Sequence, residues 1–328
     1  MGDIATILPG HFGITGTRAT KERGYFICKT SNGMVKIHKT NERHQNIKQM
    51  HIVLNQIHDA GFTAIDTTSL SVHGLPYVHL GRETYVMCKY VQGQELDLEN
   101  QDDVLLTMGN IARFHNSAKG FTICQETKNL AVSPALEDIF SSNIDFLTKT
   151  QRQINKGSRM TDFDFLFIKN SNRYIQYAQE SARILDQANY RQLHENAVAK
   201  RHICHNNLKE ENLPIANGLP HIINFADMSI GEQLTDLASF LHRYARCSSR
   251  TIPLAQLVEA YNKVSPLPPC APQVIDAYLM HPWQFVKIAR QYYNKKRGWT
   301  PAAVMSRLSA LLEVQDSYDT YTLAFSQP

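Results

Sequence analysis

Short runs of alternating apolar and polar residues fill the first ninety positions and predict β-strands. The runs at 23–29 and 34–37 flank an Asn-Gly pair. Because Asn-Gly readily adopts the positive φ angles of a tight hairpin turn, these runs predict two antiparallel strands. A second hairpin is predicted over 77–88, with its turn at Gly81.

A helix is predicted between the two hairpins, over residues 41–60. The apolar positions there recur at the three- and four-residue spacing of one helix face, and Gly61 follows as a typical C-terminal stop. These apolar positions are Ile47, Met50, Val53, Leu54 and Ile57.

Beyond residue 92 the pattern becomes mainly helical, interrupted by a strand-rich segment at 203–223. Clear amphipathic segments lie at 104–118, 163–187, 234–246 and 302–312. The change predicts an α+β protein with two domains. Residues 1–92 form an N-terminal sheet lobe with one helix, and 93–328 form a large, mainly helical C-terminal lobe.

Composition excludes several classes of partner. Hydrophobic residues make up 43% and charged residues 20% of the 328 positions, which is usual for a globular protein. The net charge of +4 is spread along the chain, so we expect no nucleic-acid partner. The apolar runs are shorter than the roughly 20 residues that span a bilayer. The N-terminus lacks the basic and apolar segments of a signal peptide, so we expect synthesis inside the cell.

The residues with the strongest chemical pattern lie between 203 and 238. His205 is followed by Asn207 and, five residues later, by Asn212; Asn224 lies in a later Ile-Asn-Phe, and Asp236 begins Asp-Leu-Ala. This spacing resembles the aminoglycoside and choline phosphotransferase superfamily, which has a protein-kinase-like fold. Its loop reads H-G-D-x-x-x-x-N, followed by I-D-F or I-D-W and then by D-L-A.

Within that superfamily the chain resembles the bacterial spore-coat kinase-like proteins of the CotS type. Three further stretches carry the resemblance: ARFH with a later Gly-Phe, YVQGQE, and HPWQF followed by RQYYNKKRGW, at 112–121, 90–95 and 281–299. The resemblance implies synthesis in the mother-cell cytoplasm, deposition in the spore coat and other coat proteins as partners. It also places Lys36 and the hinge residues Lys89, Tyr90 and Val91 at a nucleotide.

The resemblance assigns a chemical role to each position, and two of the residues present do not suit that role. Lys36 fits the phosphate-binding lysine and Asn212 fits the metal-binding asparagine. Asn207 replaces the aspartate that accepts a proton, and an amide cannot act as a general base near neutral pH. Asn224 replaces a magnesium-binding aspartate, although magnesium prefers charged carboxylate oxygens. The sequence therefore predicts a catalytically impaired pseudokinase, with ATP as a candidate ligand, no certain cofactor and no expected magnesium.

Several positions keep two interpretations. Lys36 faces a nucleotide or is an ordinary strand lysine, and His205 either takes part in catalysis or holds the loop backbone. Asp227 is a substitute for a missing carboxylate or a surface charge, as are Glu210 and Glu211.

Asp236 is expected to be structural, capping the helix that follows and bracing the loop. For the whole protein, an active phosphotransferase for a sugar or amino alcohol and a ligand-binding regulatory module are the alternatives.

Overall fold

The computed structural model describes residues 8–14, 19–22, 24–31, 33–249, 251–294 and 300–313. Asn32 in the predicted first turn and the predicted motif residues 295–299 lie outside these ranges. Among the described helices, none is long and apolar enough to cross a membrane.

An antiparallel sheet of five strands forms the N-terminal part, in the order β1-β2-β3-β5-β4. Both predicted hairpins are present, and Gly33 and Gly81 adopt positive φ angles of 112° and 63° at their turns. The strands are β1 Thr20–Glu22, β2 Tyr25–Thr30, β3 Gly33–Thr40, β4 Val78–Leu80 and β5 Glu83–Lys89.

The two faces of this sheet differ in character, because successive residues of a strand point to opposite sides. One face is apolar and packs on residues near the N-terminus, such as Leu8 and Phe12. The other face carries Lys36, whose cross-strand partners are Ile27 and Cys88. The sheet therefore presents Lys36 on the face away from its own apolar core.

The predicted first helix is α1, His44–Asp59. Four of its five predicted apolar positions are buried: Ile47, Val53, Leu54 and Ile57. Gly61 follows with a φ of 98° and its N–H donates to the carbonyl of His58, which ends the helix as the sequence predicts.

The rest of the chain is mainly helical, as predicted, and the segment at 203–223 forms only very short strands. The helices are α2 Gln101–Ser117, α3 Leu136–Lys156, α4 Asp162–Gln187, α5 Tyr190–Ala199, α6 Leu234–Cys247, α7 Leu254–Asn262, α8 Ala271–Met280, α9 Trp283–Tyr293 and α10 Pro301–Glu313. The strands are β6 Ile203–Cys204, β7 Ile215–Ala216, β8 Leu219–Pro220 and β9 Ser229–Ile230.

The chain divides into two compact units that do not separate at residue 92. The first is Met1–Ser133, Ala197–Asp236 and Cys247–Pro266; the second is Pro134–Asn196, Leu237–Arg246 and Leu267–Pro328. Strands do give way to helices between Lys89 and Gln101. The boundary at 92 stays a prediction about lobes, whereas the compact first unit also includes the loop at 203–213.

In the second unit, aromatic side chains stack between helices. Phe163 of α4 stacks on Tyr292 of α9 at 3.8 Å between ring centroids, and Tyr293 donates a hydrogen bond of 2.8 Å to Asp164. The Tyr292-Tyr293 pair that the sequence singled out is thus a packing element of this unit.

The segment after β5 pairs with β7 through its backbone. The N–H of Gln94 donates to the carbonyl of Ile215 at 3.1 Å, and the N–H of Ile215 donates back at 2.8 Å. Gly93 lies so close that a Cβ atom there would be 2.5 Å from the Ile215 oxygen. A glycine is required at this position by the close approach of two backbones.

Candidate functional site

His205 forms the interior of the 203–213 loop. Its side chain is fully buried, its Nε2 donates to the carbonyl of Ile223 at 3.0 Å, and its Nδ1 accepts the N–H of Asn207 at 3.2 Å. Burial lowers the pKa of His205, in spite of the nearby Asp236 charge. A neutral imidazole therefore connects the loop to the segment that carries Asn224.

Asn206 occupies the glycine position of the phosphotransferase motif. Its φ of 61° lies in the left-handed region that glycine prefers. Its side chain donates to the carbonyl of Asp227 and to the hydroxyl of Ser229, both at 2.8 Å. These bonds offset the strain of a side chain in this conformation.

We expect Asn206→Ala to lower the free energy of unfolding by about 1–3 kcal/mol, because it loses both hydrogen bonds and keeps the strain. Asn206→Gly, the matched control, loses the bonds without the strain and should be less destabilised by about 1 kcal/mol. Urea unfolding of both variants measures the difference. An alanine variant as stable as the glycine variant would contradict the left-handed conformation.

Asp236 braces the loop through two backbone amides. It is buried, and its two oxygens accept the N–H groups of His205 at 2.6 Å and Asn206 at 2.7 Å. His115 Nε2 lies 3.3 Å from the same carboxylate, with the Tyr261 hydroxyl 2.7 Å from its other ring nitrogen. Burial alone raises the pKa of Asp236, but the hydrogen bond and charge of His115 and the bond from the His205 N–H hold it below its usual value.

The predicted capping of α6 is performed by a different carboxylate. Glu232 accepts the N–H of Leu234, the first residue of α6, at 3.0 Å. The Asp236 oxygens are occupied by the loop amides, so its contacts are those of a brace. Burial raises the pKa of Glu232 to about 7, although the bond from Leu234 and the charge of Lys119 act in the opposite direction.

This raised pKa predicts a pH-dependent stability. Because the folded-state pKa exceeds the unfolded one, the stability contributed by Glu232 is present below about pH 4.5 and lost as pH rises through about 7. Glu232→Gln keeps an acceptor for Leu234 and does not ionise. We therefore expect its free energy of unfolding, relative to that of the wild type, to be about 1–3 kcal/mol higher at pH 8 than at pH 5. Thermal melts at both pH values measure this.

Exposed Glu259→Gln is the control for the Glu232 experiment, because it makes the same substitution at the protein surface. A Glu232→Gln difference that is equal at pH 5 and pH 8 would contradict the raised pKa.

The three asparagines at the motif positions form one chain of hydrogen bonds. Asn212 Nδ2 donates to the carbonyl of Asn207 at 2.8 Å, which turns Asn212 Oδ1 toward Asn224. Asn224 Nδ2 then donates to that oxygen at 3.2 Å. The Asn212 oxygen that would face a metal ion thus accepts an amide N–H instead.

Asp227 lies next to this chain. Its Oδ2 accepts the Nδ2 of Asn207 at 2.8 Å, and its side chain is exposed. Asn207 is thereby held by a carboxylate from the segment that follows the loop. Of the two other sequence alternatives, Glu211 pairs with Lys209 at 2.9 Å.

A cavity of about 590 Å³ adjoins these residues. Of the predicted positions, those that line it are Lys36, Asn212, Asn224, Asp227 and Glu211. His205 and Asp236 lie buried behind the loop, and Asn207 is linked to the cavity through Asp227.

The predicted hinge residues lie elsewhere. Lys89 is exposed and pairs with Val35, so its side chain shares the sheet face opposite to Lys36. Tyr90 lines a second cavity of about 260 Å³, together with Ile27 and Met34.

A contact between two tyrosines lies where the two cavities approach each other. Tyr25 lines the first cavity and Tyr90 lines the second, and their ring centroids are 6.4 Å apart. The Lys36 ammonium lies 5.8 Å from the Tyr25 ring centroid. Tyr25 therefore contacts the hinge on one side and the candidate phosphate-binding lysine on the other.

Sequence reasoning missed Asp66, which is the buried carboxylate of the larger cavity. It is 8% exposed, and its two oxygens accept the N–H of Asn224 at 3.3 and 3.2 Å. Burial raises the pKa of Asp66 to about 7, against the lowering effect of the Lys36 charge. The sole sequence signal is an acidic residue directly after the apolar pair Ala64-Ile65.

The donor set does not fit the magnesium ion that kinases use. Magnesium requires near-octahedral oxygen ligands and prefers carboxylates. Here the two motif positions are amides, and Asn224 presents an N–H toward Asn212. Among the described residues, no group of three His, Cys, Asp or Glu side chains is placed to hold a metal ion.

Comparisons with solved structures show the fold. An aminoglycoside phosphotransferase from Alicyclobacillus acidocaldarius subsp. acidocaldarius has a TM-score of 0.82 at 16% identity, over 99% of this chain and 95% of that one. A spectinomycin phosphotransferase in its AMP-bound complex has a TM-score of 0.67 at 13% identity, over 99% and 98%. The predicted α+β, protein-kinase-like fold is confirmed.

Comparison with protein families gives a match over nearly the whole chain. The model of the family described as "Spore coat putative kinase YutH" matches residues 5–325. The resemblance to spore-coat kinase-like proteins is thereby confirmed. No match was found among curated proteins.

Proposed function

We propose that this chain, which belongs to the family described as "Spore coat putative kinase YutH", is a catalytically impaired kinase-like protein with a structural or binding role in the bacterial spore coat. The observation that carries the proposal is the hydrogen bond from Asn224 Nδ2 to Asn212 Oδ1. It joins the two metal-binding positions of a phosphotransferase to each other.

The chemistry of phosphoryl transfer explains why this matters. The reaction depends on positioning and on positive charge beside the phosphates, which magnesium largely supplies. An Asn207 amide in place of the proton-accepting aspartate removes a further contribution of about 10²- to 10⁴-fold. The contributions of groups that act together are not additive. With both carboxylates replaced, restoring one of them alone should recover little activity.

The test is a measurement of magnesium-dependent ATP hydrolysis and of phosphate transfer to amino alcohols, sugars and aminoglycosides. We expect the wild type to release ADP no faster than Lys36→Ala, which removes the candidate phosphate-binding charge. Turnover that requires magnesium and disappears in Lys36→Ala would overturn the proposal.

A second candidate, an active small-molecule phosphotransferase, is favoured by one contact. The Asp227 carboxylate lies 2.8 Å from the Asn207 amide and lines the cavity, so it is the carboxylate best placed to take the role of the missing base. In that case turnover is abolished by Asp227→Asn but retained in Glu211→Gln.

The family description supports the spore coat as the location, and other coat proteins as partners. We propose synthesis in the mother-cell cytoplasm followed by assembly onto the forming spore. A tagged copy should appear in the coat extract of purified spores. Recovery only from the vegetative or mother-cell cytoplasm would contradict this location.

A further inference from the structure

Lys36 is the one cationic side chain among the described residues that line the 590 Å³ cavity. His38 lies beside it on the same strand, and burial together with the Lys36 charge lowers the pKa of His38 to about 4. The imidazole is therefore neutral near physiological pH and adds no positive charge. The acidic residues that line the cavity are Glu42, Asp66, Glu211 and Asp227.

Helix α1 does not provide the partner of this lysine. The α1 residues that line the cavity are Asn46, Ile47, Gln49, Met50 and Leu54. The buried Gln49 turns its amide to the carbonyl of Glu126, at 3.2 Å. A kinase usually places a helix glutamate against the strand lysine, but the cavity face of α1 carries amides and apolar groups.

Asp66 provides the buried carboxyl group instead. It lines the same cavity as Lys36, and the Lys36 charge acts to lower the pKa of its carboxyl group, against the effect of burial. The backbone N–H of Asn224 bridges both carboxylate oxygens, which fixes the group in place. Glu42, by contrast, is an exposed acid that accepts a hydrogen bond from Asn46 at 3.1 Å.

We infer that Asp66 determines the charge specificity of this cavity: it balances Lys36 and excludes the phosphate groups of nucleotides. The inference rests on the proposed function, because an intact magnesium site would screen the phosphates from Asp66. Without the metal, a nucleoside diphosphate has to bring its negative charges beside a buried carboxylate in a medium of low dielectric. The cavity then favours neutral or singly cationic polar ligands over polyphosphates.

The test compares ADP binding to full-length variants by calorimetry at pH 8 in EDTA. We expect Asp66→Asn to bind ADP at least about tenfold more tightly than the wild type, because the amide keeps an acceptor for Asn224 and removes the charge. Asp66→Ala removes the whole carboxyl group, and it should also bind ADP more tightly than the wild type. The double variant Lys36→Met/Asp66→Asn should lose this gain in ADP affinity.

Glu42→Gln is the matched control, since it removes an exposed acid from the same cavity and should change the affinity less than threefold. Equal affinities of Asp66→Asn and the wild type would overturn the inference. So would an equal gain in Glu42→Gln, or a gain that survives the loss of Lys36. Magnesium-dependent turnover by the wild type would defeat the proposed function alone, because this comparison contains no metal.

Discussion

Asp236→Asn is expected to lower the thermal midpoint of the protein by about 6–20 °C. One carboxylate accepts two loop amides and contacts His115 in a buried site. An asparagine has a single acceptor oxygen, so its Nδ2 would face one of the two backbone N–H donors, of His205 or Asn206, that a carboxylate oxygen now accepts. Breaking such a buried charged network costs about 3–5 kcal/mol, and each kcal/mol shifts the midpoint of a unit this size by about 2–4 °C.

The control for this loss is Asp59→Asn at the end of α1, where the carboxylate is 82% exposed. It changes the same chemical groups at the surface, so its midpoint should stay within about 2 °C of the wild type. Circular dichroism melts of the three proteins decide the matter. An Asp236→Asn protein as stable as Asp59→Asn would mean that the loop does not depend on this brace.

Gly93→Ala is expected to be the second most damaging change, with a loss of about 2–4 kcal/mol. The added Cβ would lie 2.5 Å from the Ile215 oxygen and 2.9 Å from its carbonyl carbon. Both are backbone atoms, so no rotation of a side chain can relieve the contact. We expect the pairing of Gln94 with Ile215 to separate, which urea unfolding would register as a lower midpoint.

Gly10→Ala is the matched control, because a Cβ atom at Gly10 meets no atom within 4 Å. Its φ also lies outside the left-handed region, so alanine is not strained there. If the two alanine variants unfold at the same urea concentration, the close approach at Gly93 does not limit stability.

Local patterns in the sequence predicted much of the fold correctly. The two hairpins and α1 follow from alternation, helical spacing and glycines at turns, all of which operate within a few residues. The loop between His205 and Asn212 was found because its residues lie at a fixed spacing in one short segment. Each of these features is encoded where it is formed.

The partners of the loop could not be predicted in this way, because they come from distant parts of the chain. Asp66 precedes Asn224 by 158 positions and belongs to no motif. The partner His115 of Asp236 is 121 positions away. The prediction that Asp236 caps α6 was wrong because Glu232 already accepts the first helix amide, which leaves the Asp236 oxygens for the loop.

The contact between Tyr25 and Tyr90 gives the sheet face a property that a single groove lacks. A compact molecule held by Ile27 and Met34 and another beside Lys36 would each fill its own compartment, and neither would compete with the other. A molecule long enough to reach both would have to pass this tyrosine contact. If the cavity selects by charge as inferred above, the same sheet face would also sort ligands by length.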